Sequence, residues 1–275
     1  MPEGPEIRRA ADRISKKIVG KEIHSLTLIY PPIVEFQEIL QQSQIESITT
    51  RGKAMLIRFD CDLSMYSHNQ LYGRWTVNRR STEVKWNRSL RVEFLTDNFA
   101  VRLWSATDIE IIPTSKEEDH PFISKLGPDI LDDSCTPSLI FDRLKSKKFC
   151  NRNASSLMLD QSFLAGIGNY LRSEILHQSG VHPNAKPRLI SDKKLQHWAE
   201  TTKNLTKLSY DTGGFTVSEK VALAGKKRGE PKRAYRHSAF CRNGLLCHYC
   251  DAEIVRIRVA NRRLDFCPKC QCLSE

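Results

Sequence analysis

Two pairs of cysteines near the C-terminal end have the spacing of a metal site. Cys247 and Cys250 form one Cys-x-x-Cys motif, and Cys267 and Cys270 form a second one after sixteen intervening residues. Two such pairs are typical of four thiolates that hold one Zn²⁺ tetrahedrally. Because four protein ligands leave the metal no open position, the sequence predicts one structural zinc ion without a catalytic role.

These ligands need an element that holds the two pairs together. Between the pairs, residues 253–259 alternate between apolar and polar side chains, as a strand with one buried face does. We therefore predict a β-hairpin zinc ribbon. Cys272 lies close by in the sequence, but Cys270 fits the symmetric spacing better.

The balance of charges is compatible with an anionic partner. The chain contains 43 Lys and Arg residues and 32 Asp and Glu residues, which gives a formal net charge of +11. Nucleic acid fits such an excess, because each neutralised phosphate releases condensed counterions. A merely basic soluble protein would have the same composition, so charge alone leaves both interpretations open.

The N-terminal residues do not match a targeting segment. Glu3 and Glu6 interrupt the first ten residues, and no apolar run approaches the roughly 18 residues that cross a bilayer. We expect no membrane partner and a reducing compartment, which in a prokaryote is the cytoplasm with its nucleoid. The nine cysteines would persist there as thiols or metal ligands rather than disulfides.

The first half of the chain is predicted to be one helix followed by short strands. Pro5 suits a first helical position, and apolar residues recur at helical spacing from Ile7 to Ile18 before Gly20. Eight β-rich segments follow, which favours an antiparallel sandwich or barrel over a doubly wound parallel sheet. These segments are Ile23–Tyr30, Ile45–Thr50, Ala54–Phe59, Leu63–His68, Trp75–Asn78, Leu90–Leu95, Ala100–Ser105 and Ile109–Ile112.

The second half has a helical pattern. Residues 120–136 are rich in turn formers and predict a linker, and Thr136 and Pro137 match a helix N-cap and first helical position. The predicted helices are Ser138–Ser146, Ser155–Phe163, Asn169–Ser179 and Asp192–Tyr210, and residues 213–236 are predicted to be a mobile basic loop. The fold class is α+β, and its predicted domains are 1–119, 137–236 and a zinc ribbon at 237–272.

Ordered motifs along nearly the whole chain resemble one enzyme family. They are MPEGPEIRRAAD at 1–12, TRGKA at 50–54, MYSHNQLYG at 65–73, HPF at 120–122, LGPD at 126–129, LDQSFLAGIGNYLRSEIL at 159–176 and the zinc hairpin. Together they are similar to the formamidopyrimidine-DNA glycosylase and endonuclease VIII family. PEGPEIRRA and HNQLYG are more similar to the endonuclease VIII branch.

The resemblance implies both a fold and an activity. The fold would be an N-terminal β-sandwich with flanking helices, a C-terminal helix–two-turn–helix and a zinc ribbon. The activity would be that of a base-excision repair DNA glycosylase with AP-lyase activity by β,δ-elimination, removing oxidised bases and pyrimidines in particular. The partner would be double-stranded DNA with oxidised bases or abasic sites, bound by a monomer.

Within the family, an N-terminal proline supplies the nucleophile, and Pro2 takes that place here. A small second residue permits removal of the initiator Met, which exposes a secondary amine. An α-amino group has a reference pKa of about 7.7–8.0, well below the value of about 10.4 for lysine, and a helix starting near Pro5 should lower it further. The uncharged amine would attack C1′ of a damaged nucleotide and leave an iminium that drives strand cleavage. The alternative is an ordinary early proline.

The resemblance implies two further catalytic side chains. Glu3 takes the place of the family's acid–base residue, which delivers a proton to the departing base or the sugar oxygen. Lys53, in the Arg-Gly-Lys turn, takes the place of a lysine that aids β-elimination and grips phosphate. Glu6, one helical turn after Glu3, would tune this cluster, or it is a solvated acid favoured by the helix dipole.

Gln70, Leu71 and Tyr72 match the wedge of the endonuclease VIII branch. A glycosylase must extrude its target base, at a cost of about a few kcal/mol of lost stacking. An apolar and an aromatic side chain that fill the vacated space offset part of that cost. The alternative is a strand end with Leu71 and Tyr72 in the core.

Three more residues would contact the DNA backbone. Asn169 lies where LAGIG leads into a helix, and a helix start with an amide side chain suits a phosphate; a plain N-cap is the alternative. By resemblance, Arg262 clamps phosphate and is linked to δ-elimination, with Arg263 as the competing assignment. Lys125 replaces an arginine usual in endonuclease VIII-like sequences, which keeps the charge but loses bidentate geometry.

The sequence leaves three interpretations of function. A rival to the oxidised-pyrimidine enzyme shares its mechanism but prefers oxidised purines such as 8-oxoguanine. A third interpretation is a zinc-ribbon DNA-binding protein without catalysis, against which the intact Pro2, Glu3 and Lys53 argue. The basic segment 225–236 departs from the family and either alters lesion choice or is only a solvated loop.

Overall fold

The computed structural model describes residues 2–273 and divides into two units, Met1–Lys125 and Leu126–Glu275. The point of division falls within 120–136, the segment predicted as a linker. Each unit buries its own hydrophobic core, as a domain of this length is able to do.

The first unit begins with helix α1, Gly4–Ile18. Glu3 is its N-cap, and Pro5 lies in the first turn, where its missing N–H costs no helical hydrogen bond. The apolar residues that α1 buries are Ile7, Ala11, Ile14 and Ile18. They pack α1 against strands β2 (Ile45–Arg51) and β3 (Ala54–Phe59), so the helix predicted from their spacing is confirmed.

Eight strands form two antiparallel four-stranded sheets in this unit. Besides β2 and β3 they are β1 (Ser25–Leu28), β4 (Leu63–His68), β5 (Arg74–Arg79), β6 (Leu90–Leu95), β7 (Phe99–Trp104) and β8 (Asp108–Pro113). The strand order is β1-β6-β7-β5 in one sheet and β2-β3-β4-β8 in the other. The first and last residues of each strand lie within two residues of the first and last residues of one predicted segment. A 3₁₀ helix at Pro31–Phe36 and helix α2 (Gln37–Gln41) follow β1 and had no counterpart in the prediction.

Side chains from both sheets and from α1 form one core. Phe59 of β3 and Phe94 of β6 stack with ring centroids 6.5 Å apart, and Trp75 of β5 stacks on Phe94 at the same separation. Alternate residues of a strand point to opposite faces, so each sheet contributes one apolar face to this core. The predicted antiparallel β-sandwich is confirmed.

Helices dominate the second unit. They are α3 (Pro137–Lys145), α4 (Ala154–Leu157), α5 (Asn169–Gln178), α6 (Asp192–Thr212), α7 (Glu219–Lys227) and α8 (Lys232–Tyr235). The Thr136 hydroxyl caps α3 by accepting a hydrogen bond from the N–H of Leu139 at 3.2 Å, as predicted. Helix α6 packs against both α3 and α5, with the wholly buried Trp198 in their common core.

The helix predicted over Ser155–Phe163 is much shorter in the structure, because α4 ends at Leu157. The side chain of Asp160 accepts hydrogen bonds from the N–H of Ser162 at 2.8 Å and from the Arg152 guanidinium. A short acidic side chain that bonds its own neighbouring backbone stabilises a turn in competition with a helix. The apolar spacing alone did not reveal this competition.

The prediction of a mobile loop over 213–236 is wrong, because this segment contains α7 and α8. Ser218 caps α7 by accepting from the N–H of Val221 at 3.4 Å. Glu230 between the helices receives a hydrogen bond from Nη1 of Arg242 at 2.5 Å, and Arg242 is almost wholly buried. This polar segment is thus helical, with a local cap and a buried partner from outside it.

The chain ends in an antiparallel hairpin of β9 (Val255–Val259) and β10 (Arg262–Phe266), which confirms the predicted ribbon strands. The buried Asp265 carboxylate accepts two hydrogen bonds from Arg256, at 2.6 and 3.0 Å, and one from the N–H of Cys241 at 2.7 Å. Among the described residues, every helix is too short or too polar to cross a membrane.

Candidate active site and metal centre

Pro2 and Glu3 lie directly before helix α1. Pro2 is partly exposed, whereas Glu3 is only 3% exposed. A reciprocal capping box joins Glu3 to Glu6: the Glu3 carboxylate accepts from the N–H of Glu6, and Glu6 Oε2 accepts from the N–H of Glu3 at 3.0 Å. The helix start therefore holds a buried carboxylate beside the predicted nucleophile, and Glu6 helps to hold it rather than being a simply solvated acid.

Lys53 lies in the tight turn between β2 and β3, next to Gly52, which has a left-handed φ of +60°. Its side chain is buried. The register of β3, β4 and β8 sets Ala54 opposite His68, and His68 opposite Asp108. Burial lowers the pKa of His68; the Asp108 carboxylate opposes that shift and the Lys53 charge adds to it. Lys53 therefore adjoins His68 at one edge of this sheet.

The segment 69–73 turns sharply at that same edge, immediately after β4. The N–H of Gly73 donates to the carbonyl of Asn69 at 2.7 Å and closes the turn. Gln70 has a positive φ of +45°, and its Nε2 donates to Oδ2 of Asp108 at 3.3 Å. This hydrogen bond joins the turn to β8 at Asp108, the residue that pairs with His68 of β4.

Leu71 and Tyr72 lie at the tip of this turn. Their side chains are 68% and 71% exposed, so the alternative of a strand end with both side chains in the core is wrong. Large apolar side chains on an anchored turn have the chemistry needed to occupy the space that a flipped base vacates. The structure therefore brings Lys53 and the three predicted wedge residues to one sheet edge.

Asn169 is the first residue of α5, and Gly168 is the N-cap, so the N-cap alternative for Asn169 is wrong. Oδ1 of Asn169 accepts a hydrogen bond from Nη2 of Arg172 at 2.7 Å. This contact fixes the amide and leaves its Nδ2 as a donor at the start of the helix. An amide donor at a helix start suits a phosphate oxygen.

Arg172 was not among the residues predicted from the sequence. It is wholly buried, its Nη2 also donates to the carbonyl of Arg263 at 2.9 Å, and its Nη1 donates to the carbonyl of Ser155 at 3.3 Å. Arg172 therefore joins the start of α5 to strand β10 of the ribbon. The available signal was an arginine three residues, about one helical turn, after Asn169.

Arg262 and Arg263 are adjacent on β10 and differ in their contacts. The guanidinium of Arg263 lies 4.7 Å from the centre of the Phe240 ring, and its Nη2 lies 3.5 Å from Sγ of Cys241. The side chain of Arg262 is exposed and makes no ion pair or hydrogen bond with any residue between 2 and 273. An uncommitted guanidinium suits a phosphate, which favours Arg262 over Arg263.

The four predicted zinc ligands converge at the base of the ribbon. Sγ of Cys247 lies 3.8 Å from Sγ of Cys270, and Sγ of Cys250 lies 3.4 Å from Sγ of Cys267. Two sulfurs bound tetrahedrally at about 2.3 Å from one zinc lie about 3.8 Å apart, whereas a disulfide needs about 2.05 Å. The residues fit a tetrahedral metal site, and the nine cysteines, all within the described part of the chain, are free of disulfides.

A histidine joins this cluster, and sequence analysis missed it. Nε2 of His177, on α5, lies 3.4 Å from Sγ of Cys247. His177, Cys247, Cys267 and Cys270 place one potential ligand atom each within 4.8 Å of one another. The cluster can therefore bind a metal ion, and a set with three cysteines and one histidine shares three members with the predicted set of four cysteines. No spacing rule could find His177, because it is 70 residues from Cys247.

Comparison with known proteins covers almost the whole chain. The family model for the formamidopyrimidine-DNA glycosylase N-terminal domain matches residues 1–107, and the model for the H2TH domain of the same enzyme matches residues 126–221. The chain is 40% identical over 271 residues to Endonuclease 8 of Klebsiella pneumoniae and, equally, to Endonuclease 8 of Escherichia coli, covering 98% of this chain and 100% of each relative. The chain belongs to the formamidopyrimidine-DNA glycosylase family.

Solved structures of this family share the fold. Formamidopyrimidine-DNA glycosylase of Lactococcus lactis, bound non-covalently to DNA containing an AP site, superposes with a TM-score of 0.80 at 22% identity, covering 98% of this chain and 100% of that one. The same enzyme with DNA containing an oxidised pyrimidine also gives a TM-score of 0.80 at 22% identity, covering 99% and 100%.

Membership of this glycosylase family, with full-length relatives of the Endonuclease 8 group, decides between the broad interpretations of function. The protein is a DNA glycosylase with AP-lyase activity, an enzyme of base-excision repair. The interpretation as a non-catalytic zinc-ribbon protein is not favoured.

The predicted site residues of this glycosylase form separate groups within each unit. In the first unit, Pro2 and Glu3 lie at the start of α1, and Lys53 lies with the wedge residues at one sheet edge. Lys125 is exposed at the end of a 3₁₀ helix at Ile123–Lys125. In the second unit, helix α5 connects Asn169 at its start with His177 and the cysteine cluster near its end.

Proposed function

We propose that this glycosylase removes oxidised pyrimidines from double-stranded DNA and cleaves the strand by β,δ-elimination, with the nitrogen of Pro2 as nucleophile. The observation that carries the proposal is a buried carboxylate, Glu3, fixed by a capping box directly after Pro2. An amine and an acid held side by side are the two groups that displacement of a base requires.

The proposed chemistry balances without an external reagent. The lone pair of the Pro2 nitrogen forms a bond to C1′, the bond from C1′ to the base breaks, and the base leaves with that electron pair and a proton supplied by Glu3. As the sugar opens, the C1′–O4′ bond breaks, the proton of the Pro2 amine passes to O4′, and an iminium forms on Pro2. The Glu3 carboxylate, deprotonated in the first step, accepts the C2′ proton, and the iminium takes up the electron pair of that C–H bond. This pair then forms the C2′–C3′ double bond as the 3′ phosphate leaves. Lys53, buried beside His68, assists the elimination and contacts a phosphate.

The remaining predicted residues would hold the DNA. Gln70, Leu71 and Tyr72 would fill the space left by the flipped nucleotide, since the last two side chains are exposed on an anchored turn. Asn169, Arg262 and Lys125 would contact phosphates, and Cys247, Cys250, Cys267 and Cys270 would bind one structural Zn²⁺.

Mapping a trapped intermediate tests the nucleophile. The protein is mixed with a duplex that contains an abasic site, the iminium is reduced with borohydride, and the adduct is located by mass spectrometry after digestion. We expect the adduct on the peptide that begins at Pro2, in a protein lighter than the 275-residue chain by its initiator Met. Lys53→Gln serves as the control and should still form the adduct. An adduct on Lys53, or a normal yield from protein that retains Met1, would contradict the proposal.

Lesion preference has its own test. Excision of thymine glycol and of 8-oxoguanine is compared under single-turnover conditions in duplexes of otherwise identical sequence. We expect faster excision of thymine glycol, because identity to the Endonuclease 8 relatives is 40%, against 22% to the formamidopyrimidine-DNA glycosylase structures. Faster excision of 8-oxoguanine would favour the oxidised-purine alternative with the same mechanism.

A further inference from the structure

A tryptophan with two arginines lies beside the proposed wedge. The guanidinium carbons of Arg74 and Arg88 are 4.8 and 5.7 Å from the centre of the Trp86 ring, within the range of cation–π attraction. Trp86 packs on Trp104, with ring centroids 5.7 Å apart, and remains 38% exposed. We call Arg74, Trp86 and Arg88 the Trp86 cluster.

A cavity of about 340 Å³ adjoins the Trp86 cluster. Its lining includes three cationic side chains, Arg13 of α1, Arg74 and Lys85. Glu83, the one acidic residue of the lining, lies 3.6 Å from Lys85, and both side chains are highly exposed. The charges of Glu83 and Lys85 cancel, and Arg13 and Arg74 give the cavity a net positive charge. The cavity therefore suits an anion.

The Trp86 cluster is physically continuous with the wedge turn. Arg74, the first residue of β5, directly follows Gly73, and Nη1 of Arg88 donates a hydrogen bond to the backbone carbonyl of Tyr72. Any duplex that receives Leu71 and Tyr72 must therefore pass close to the cluster. A guanidinium near an exposed aromatic ring matches a nucleic-acid backbone, because the fork binds phosphate oxygens while the ring packs on a sugar or base.

We propose that the Trp86 cluster and its cavity bind a phosphodiester of the DNA beside the wedge, so that the protein grips the duplex next to the point of base extrusion. This inference rests on the proposed wedge function of Gln70, Leu71 and Tyr72. It adds a contact surface outside the predicted catalytic, wedge and phosphate-binding residues. Arg74 would bind the phosphate, and Arg88 would hold the wedge turn through the Tyr72 carbonyl.

Quenching of tryptophan fluorescence by acrylamide tests whether DNA covers Trp86. The chain has four tryptophans, and the other three, Trp75, Trp104 and Trp198, are 7% exposed or less. Quenching of the free protein therefore reports mainly on Trp86, and Trp86→Phe should remove that accessible component. We expect the accessible component to be lost when a duplex with an uncleavable abasic analogue saturates the protein. Undiminished quenching at saturation would overturn the proposal.

The salt dependence of DNA affinity tests the phosphate contact. Each phosphate contact adds about one unit to the slope of log Kd against log salt, so Arg74→Gln should lower that slope by about one unit. Lys116→Gln is the matched control. Lys116 is exposed and follows the last residue of β8, whereas Asp108 and the wedge lie at the first residue of that strand. The slope of this control should equal that of the unaltered protein. Equal slopes for both variants would overturn the proposal.

The two proposals can fail separately. Lys116→Gln, at an exposed residue outside every proposed site, is expected to form the borohydride adduct as the unaltered protein does. A protein that forms the adduct on Pro2 but leaves Trp86 fully open to acrylamide would refute the Trp86 contact alone. Absence of the adduct in the unaltered protein would refute the proposed nucleophile, whatever happens to Trp86.

Discussion

Arg172 shows how one buried side chain organises the proposed phosphate site. Its guanidinium donates to Asn169, to Ser155 and to the carbonyl of Arg263, so three segments of the second unit share one cation. A planar fork satisfies several acceptors at fixed angles, which an ammonium on a flexible stem does not. Arg172 is therefore a positioning residue that acts through Asn169.

We predict that Arg172→Lys lowers DNA affinity at least about tenfold, since one charge-assisted hydrogen bond is worth about 1.5–3 kcal/mol. Fluorescence anisotropy with an uncleavable abasic duplex gives the Kd of each variant. If Arg172 acts by orienting Asn169, then Arg172→Lys should cause little further loss in an Asn169→Ala background. Fully additive losses in this double-mutant cycle would contradict a positioning role.

His237 is a buried histidine with a clear pH consequence. Burial, with smaller contributions from the charges of Arg236 and Arg242, lowers its pKa from 6.5 to about 3. Its Nδ1 lies 3.0 Å from the Thr216 hydroxyl, and its Nε2 accepts from Nε of Arg236 at 3.1 Å. The folded protein therefore holds this ring neutral at pH values where the unfolded chain protonates it.

The sign of the effect follows from linkage. A depressed folded-state pKa gives stability that is present above pH 6.5 and is lost as the pH falls toward 3. Between pH 7 and pH 5 the loss from His237 should be about 2 kcal/mol. Urea unfolding at both pH values should show a smaller pH dependence in His237→Asn than in the unaltered protein. An identical dependence would show that His237 does not contribute.

At the scale of elements, the turn between β4 and β5 depends on a close backbone approach. A Cβ on Gly73 would lie 2.6 Å from the carbonyl oxygen and 2.7 Å from Cα of Asn69. Real Cβ atoms are not found at such distances from backbone, so any side chain at position 73 must displace the turn that carries Leu71 and Tyr72.

We predict that Gly73→Ala destabilises the protein by about 1–3 kcal/mol and slows excision of a paired lesion more than excision from a mismatched one. The reason is that a displaced wedge offsets less of the free energy lost when the target base leaves the stack. Gly20→Ala is the control, because Gly20 has a positive φ of +62° with open space around its Cβ position. It should lower the melting temperature without changing excision by folded protein. Unchanged excision by Gly73→Ala would contradict the wedge geometry.

At the scale of the whole molecule, the cysteine cluster connects the ribbon of β9 and β10 to helix α5 through His177. The buried Gln271 joins the cluster to the segment that follows α5: its Oε1 accepts from the N–H of Cys267 and its Nε2 donates to the carbonyl of Val181, both at 2.9 Å. Loss of the metal would leave close thiolates that repel one another. The effect should extend to the Arg262 strand, because the same ribbon contains β10.

We predict that Cys250→Ser loses zinc and DNA affinity, whereas Cys272→Ser, at an exposed cysteine two residues past Cys270, retains both. Metal content is measured by elemental analysis and affinity by anisotropy. Calorimetry should show that the first unit keeps its own transition, since its core contains no residue of the ribbon. Stoichiometric zinc in Cys250→Ser would indicate that His177 completes the ligand set instead.

Much of the architecture follows from local patterns. Periods of two and of 3.6 residues predicted eight strands and the longer helices, because burial of one face acts along each element separately. The Cys-x-x-Cys spacing predicted the ribbon for a similar reason, since a knuckle is a short-range structure. Motifs at the two ends of the chain also identified the family and its chemistry.

Tertiary structure alone decided the contacts between distant residues. Arg172 and Arg263 are 91 positions apart, and Glu230, within residues 213–236, is bonded to Arg242, which lies outside that segment. A sequence pattern records which face of an element is apolar, but it does not record which partner covers a polar group once that group is buried. For this reason the folded chain alone revealed the contacts of Arg172, the approach of His177 to the cysteines, helices α7 and α8, and the Trp86 cluster.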